Sequence, residues 1–242
     1  MERRNFLQII GGIGTIAVFP SLIPTRLFAE NGQMFVGYGK VKLVDALGKP
    51  LLAGKLKKET AYIFNYPFVG TPSMLIDLGT ATQKDVTLKS EAGDEYVWKG
   101  GIGKESSIVA YSAICAHQLT HPNPKESFIK YFKKGEKTVS CSQDKVIVCS
   151  SHMSSYDPAS GCKNLGGDAR EPLASIVLEH DIKTDELYAV AVVGVGKFVD
   201  YFDAFGDEME QYYKGKREAK AEVSVQTKTV ELKKYSKEVI GY

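Results

Sequence analysis

The chain has 242 residues, of which 43% are hydrophobic and 25% charged. Its 31 basic and 29 acidic side chains leave a net charge of +2, too near balance for a nucleic-acid footprint. The length allows one domain with a proper core plus extensions, and no fixed-period repeat or low-complexity run interrupts it.

In chain order, Arg3-Arg4-Asn5-Phe6-Leu7-Gln8 comes first, close to the twin-arginine export pattern, with Glu2 and Gln8 as departures. An uncharged apolar stretch follows from Ile9 to Ile23. The only plausible cleavage site follows Ala29, and Leu27 is larger than signal peptidase wants two residues before it. Residues 1–29 are therefore expected to remain as a single transmembrane helix with its arginines cytoplasmic. That places the rest of the chain on the periplasmic or outer face of a bacterial or archaeal cell membrane.

From there to the middle of the chain the pattern is strand. Apolar residues alternate or cluster in Phe35–Val44, Ala61–Phe64, Met74–Leu78, Asp85–Leu88, Tyr96–Trp98 and Ser107–Tyr111. Gly, Pro and Asp separate the runs. Asn123-Pro124-Lys125-Glu126 reads as a helix start, with Phe128, Ile129 and Phe132 on the dry side and Lys130, Lys133 and Lys134 on the wet side. Ile176, Leu178 and Ile182 begin a hairpin that turns at Lys183–Glu186 and returns through Leu187–Val195. Phe198–Tyr213 has a helical period. A charged tail runs on to Tyr242, either packed along a partner subunit or solvated. Short strands at this rhythm predict a mainly β domain, an antiparallel sandwich, over residues 30–196, followed by a helical and charged extension over 197–242.

Two short motifs carry the chemistry. Cys115-Ala116-His117 is one and Cys149-Ser150-Ser151-His152 the other. Each supplies one soft anionic donor and one neutral nitrogen donor. A [2Fe–2S] cluster with two thiolates on one iron and two imidazoles on the other needs that set. A structural zinc ion is the competing reading, although zinc sites usually group Cys with Cys and His with His. Buried cysteines with surface histidines and no metal are the third.

The order C-x-H … C-x-x-H resembles the Rieske protein family. The resemblance continues through Ser154, Tyr156 and Asp157, Gly161, Gly166-Gly167 and Pro172-Leu173. Upstream, Asn65-Tyr66-Pro67, Leu78-Gly79 and Ile108–Ser112 are similar to the respiratory subgroup, arsenite oxidase small subunits included. The resemblance implies that Cys115, His117, Cys149 and His152 hold a [2Fe–2S] cluster on a small sub-domain at about residues 110–174. It also implies that Ser154 and Tyr156 donate hydrogen bonds to sulfur and so raise the reduction potential. The family's bridging cysteines are replaced by Thr120 and Ser151, and its glycine after the second histidine by Met153. The two remaining cysteines, Cys141 and Cys162, are read either as a substitute disulfide or as two buried free thiols.

The function implied is one-electron transfer in a membrane-attached respiratory complex. The leading form of that reading is quinol–cytochrome c transfer of the bc1 type, with cytochrome b and cytochrome c1 as the partners and His152 contacting the quinol. In the alternative form, the chain is the small subunit of an arsenite-oxidase-type molybdenum enzyme. It then passes electrons from a molybdopterin large subunit to a soluble cytochrome c. A zinc-stabilised periplasmic binding module is the non-redox option. His121 is redundant once the ligand set is complete, His180 reads as structural, and Asp157 as a turn residue.

Overall fold

The computed structural model describes residues 34–242. The expected membrane anchor over residues 1–29 lies outside the described residues. Among those described, no helix is long and apolar enough to cross a membrane.

The chain is mainly β. Strands β1 (Phe35–Val44), β2 (Ala61–Asn65) and β3 (Pro72–Asp77) are followed by a two-stranded hairpin, β4 (Val86–Lys89) and β5 (Glu95–Trp98), and then by β6 (Ile108–Ser112). A second, smaller sheet comes next in sequence. Its strands are β8 (Ile129–Phe132), β9 (Val146–Cys149), β10 (Ser154–Asp157) and β11 (Lys163–Gly166), with the short β7 (Glu126–Ser127) just ahead. The predicted hairpin forms as β12 (Ser175–His180) and β13 (Leu187–Val193). Helices α1 (Phe198–Ala204), α2 (Gly206–Tyr213) and α3 (Lys216–Ala219) follow, then β14 (Gln226–Lys228), β15 (Val230–Glu231), α4 (Leu232–Tyr235) and β16 (Glu238–Val239).

Alternation along the strands decides which face each residue serves. On β3, Leu75 joins one apolar cluster while Met74 and Ile76 join another; on β6, Ile108 and Ala110 separate from Val109 and Tyr111 in the same way. The large sheet, ordered β14-β1-β13-β12-β6-β3-β2-β15, is therefore dry on both sides. One face turns inward on itself, packing Val41 and Leu43 with Phe64, Leu75 and Leu187. The opposite face receives the small sheet through Ile129, Tyr131, Ile147 and Tyr156, and the hairpin through Leu88, Tyr96 and Trp98. Burying a side chain of this size stabilises by about 2 kcal/mol.

The tail does something different from either expectation: it folds back onto the domain. β14 pairs in parallel with β1, and β15 pairs antiparallel with β2. Only Thr229 separates β14 from β15, and Asn65 N donates to Thr227 Oγ1 at 3.3 Å. The two edges of the large sheet are thereby drawn together, and the sheet curls.

One local expectation fails. Residues 123–134 form no helix; they give β7 and β8. Asn123 does cap, with its Oδ1 accepting from Lys125 N at 2.9 Å and Glu126 N at 3.0 Å. The same side-chain chemistry closes an isolated turn as readily as a helix. Beyond that turn, Phe128, Ile129, Tyr131 and Phe132 are β-branched or aromatic. β8 takes β9 as its partner, from Ile129↔Cys149 to Phe132↔Val146.

Candidate metal centre

Cys115 stands three residues beyond β6, in a loop tied back on itself. Cys115 N donates to Thr120 O at 2.8 Å and Leu119 N to Cys115 O at 3.1 Å. Cys149 ends β9, and Ser154 opposite it begins β10. Ser150, Ser151, His152 and Met153 therefore form the hairpin tip between them. The sheet register delivers the second thiol to the rim of the domain and leaves the second imidazole on a four-residue turn.

The structure pairs these side chains, thiol with thiol and imidazole with imidazole. Cys115 and Cys149 are fully buried and share a hydrogen bond. The His117 and His152 rings meet edge to face, with centroids 4.8 Å apart. Both rings are half-buried, and the Nδ1 atom of each is buried without any protein partner. Two sequestered imidazole nitrogens beside two buried thiols is costly unless something accepts their lone pairs or protons. A group bonded to two sulfurs and two nitrogens satisfies them, so the residues present fit a Cys2His2 [2Fe–2S] cluster.

Hydrogen-bond donors surround the sulfurs. Tyr156, fully buried on β10, places its hydroxyl 3.4 Å from Cys115 Sγ. The backbone N–H groups of His117 and Gln118 also point at that sulfur. Ser151 N–H and the Thr120 hydroxyl serve Cys149. Adjacency is what splits the two thiols. The shared hydrogen bond with Cys149, then Tyr156 and the two amides, bring Cys115 down to about 6 against the opposing effect of burial. Cys149 is pushed up, first by that same shared bond and then by burial. Burial, then the neighbouring Cys115, raises the Tyr156 phenol, so it stays a donor.

Ser154 is fully buried, and its Oγ accepts from Ala169 N at 3.0 Å. With that lone pair engaged, its own proton is free to be donated; among the described residues no protein acceptor takes it. Met153, in place of the family's glycine, sits at φ +54°, a left-handed conformation that costs a non-glycine residue about 1 kcal/mol. Gly167, at φ +84°, lies so close that a Cβ there would stand 2.3 Å from Met153 O. A cleft of about 380 Å³ opens beside His117, lined by Glu91, Asp168, Arg170 and Lys197.

The other sequence candidates fall elsewhere. Cys141 and Cys162 are both free thiols, which corrects the disulfide reading. Cys162 is buried in the main core with Trp98 and Tyr111, while Cys141 is part-exposed against Phe132, Val146 and Val148, a separate cluster. Asp157 caps a turn, accepting from Ala159 N at 2.9 Å. His180 pairs with Asp185 at 2.8 Å. His121 lies outside the thiol–imidazole group and bonds Glu208 on α2. Sequence reasoning missed Thr120 as a sulfur donor and missed Glu208 altogether. Thr120's hydroxyl, just past the first motif, was a usable signal; Glu208, far along the chain, gave none.

A β scaffold offering two thiols and two imidazoles from a pair of facing loops defines an iron–sulfur protein of the electron-carrier class. Residues 78–192 match the family model described as the Rieske [2Fe-2S] domain. Those residues match a Rieske domain, and such a domain binds a [2Fe–2S] cluster. Along its length the chain is 28% identical over 216 residues to the iodate reductase subunit IdrB of Pseudomonas sp. (strain SCT), covering 86% of this chain and 85% of that protein. Among solved structures it is similar to the soluble domain of the Rieske protein II (soxF) from Sulfolobus acidocaldarius. That match has 23% identity and a TM-score of 0.44, covering 64% of this chain and 78% of that one.

Proposed function

We propose that the chain is the electron-transfer subunit of a reductase-type oxidoreductase complex, with Cys115, His117, Cys149 and His152 as the cluster ligands. The observation that carries the reading is the pair of buried, unpartnered Nδ1 atoms beside two adjacent buried thiols. When bound, the cluster supplies a one-electron site of high potential. The chain's own residues do the rest. Tyr156, Ser154, Thr120 and the backbone amides donate to sulfur, which favours the more negative state and raises the potential. The two half-buried imidazole edges face outward and offer the short route to a partner, and Met153, 39% exposed, gives the tip an apolar rim.

Of the two complexes considered, the reductase reading is favoured over the quinol–cytochrome c one. A relative similar along most of the chain is a subunit of a reductase. We place the chain as the small subunit beside a larger catalytic subunit of the molybdenum-enzyme kind, its electrons exchanged with a soluble cytochrome c. Purification of the native complex tests this. Molybdenum and a large subunit should co-purify with iron and acid-labile sulfide. Co-purified haem b without molybdenum would restore the quinol reading, and zinc without sulfide would remove the cluster. Retention through residues 1–29 is part of the proposal; alkaline extraction of membranes should leave the full chain in the pellet.

A further inference from the structure

Both ligand loops are fastened to one segment, residues 198–242. On the first loop, the His121 ring is nearly buried, with Nδ1 2.8 Å from Leu119 O and Nε2 2.9 Å from Glu208 Oε2 on α2. The ring also lies edge-on to Tyr201 of α1 and to Phe205, at 4.7 Å from each. Ile114, just ahead of Cys115, and Leu119, just after His117, pack into the same helices with Tyr201, Phe202 and Met209. Leu119 itself is held at φ +60°. The turn carrying Cys115 and His117 is thus gripped on both flanks.

On the second loop, β16 pairs in parallel with β7, and Ile240 N donates to Ser127 O at 2.8 Å. Gly241 lies against β8 so closely that a Cβ would meet Lys130 Cδ at 2.5 Å. Tyr242 N then reaches Ser150 Oγ at 3.4 Å, between Cys149 and His152, while Thr138 Oγ1 donates to the Tyr242 carbonyl. All four cysteines are free, so no covalent bridge links the two loops.

We propose that residues 198–242 act as a non-covalent clamp that positions the two ligand loops against each other, with His121–Glu208 and Ser150–Tyr242 as its two grips. The proposal rests on the Cys2His2 ligand assignment. His121, Glu208 and Ser150 are positioning residues: each acts on the centre through the backbone of a ligand loop. A charge-assisted bond holds the first grip and a long neutral bond, backed by strand pairing, holds the second, so the first is the stronger.

The test uses the full chain and two readouts. One is amide hydrogen exchange, followed by mass spectrometry, over residues 116–121 and 150–153 of the metal-free protein. The other is the rate at which the reconstituted protein loses its visible absorption to an iron chelator. Glu208→Ala should speed exchange in the first loop about tenfold, the factor expected for one lost charge-assisted bond. Ser150→Ala should act more weakly and on the second loop. Each should hasten iron loss; Ser150→Thr, which keeps the acceptor, should restore the parent rate, and Glu208→Gln, which keeps an acceptor but not its charge, should restore it in part. Unchanged loop exchange in both alanine variants would overturn the clamp. So would an acceleration spread equally over β3 and β6, which would mark general destabilisation. Failure of the ligand assignment looks different: the parent protein would give no Rieske electron-paramagnetic-resonance signal, while loop exchange would still report on the clamp.

Discussion

Two hydroxyls near the sulfurs make different demands on the fold, and their removal should separate. Tyr156 donates to Cys115 Sγ at 3.4 Å. Tyr156→Phe keeps the ring and removes only that bond, so the cluster should form with its midpoint lowered by tens of millivolts, roughly one hydrogen bond to sulfur. Ser154 also accepts from Ala169 N at 3.0 Å. Ser154→Ala should lower the midpoint in the same direction and, by orphaning a buried N–H, cost about 1–2 kcal/mol of stability besides. Redox titration followed by electron paramagnetic resonance, with chemical denaturation alongside, checks both. An unchanged midpoint in both variants would show that neither hydroxyl faces the centre. The free thiols give a second residue-scale expectation. Complete burial holds the Cys162 thiol well above its ordinary range, whereas Cys141 is part-exposed. In native apoprotein at pH 8, Cys141 should alkylate readily and Cys162 only after unfolding; recovery of a peptide containing both, joined, would contradict it.

At the scale of elements, β8 and β9 fix the second thiol. Ile129, fully buried, sits directly opposite Cys149. Ile129→Ala should cost about 3 kcal/mol in urea unfolding and lower cluster occupancy, since the cavity opens beside a ligand. Full occupancy in that variant would mean that β8 does not brace the site. These elements also show what the sequence made legible. The long strands could be read because their alternation is local; Leu75 and Ile76 announce opposite faces by adjacency alone. The ligand set could be read because metal chemistry restricts residue type and spacing together. The region after Asn123 misled because one capping side chain serves a turn and a helix equally, and the deciding partner, β9, lies beyond the next loop. β14, β15 and β16 are two or three residues long. They have no period to detect, and they are strands only because β1, β2 and β7 offer open edges. The grips on His121 and Ser150 were invisible for the same reason: each is a contact between residues remote in sequence.

For the whole molecule, buried phenols set an alkaline limit. Burial raises Tyr66, Tyr96, Tyr131, Tyr201 and Tyr235, and it holds Tyr111 well above its ordinary value. Tyrosine in the unfolded chain loses its proton near pH 10. The folded values are raised, so the stability they lend is complete below that point and drains away as pH climbs past it. The urea midpoint of the apoprotein should stay level to about pH 9 and fall steeply above about 10. A midpoint still level at pH 11 would show that these phenols are not sequestered.

The curled sheet has a consequence for how the molecule comes into being. β1 and β2 are made early, yet their outer edges wait for β14 and β15, which leave the ribosome much later. Pairings so distant in sequence form slowly. Until they form, both motif loops lack the segment that grips them and stand open to whatever delivers iron and sulfide. Birth order thus becomes closing order: the doorway is built first, and residues translated much later shut it.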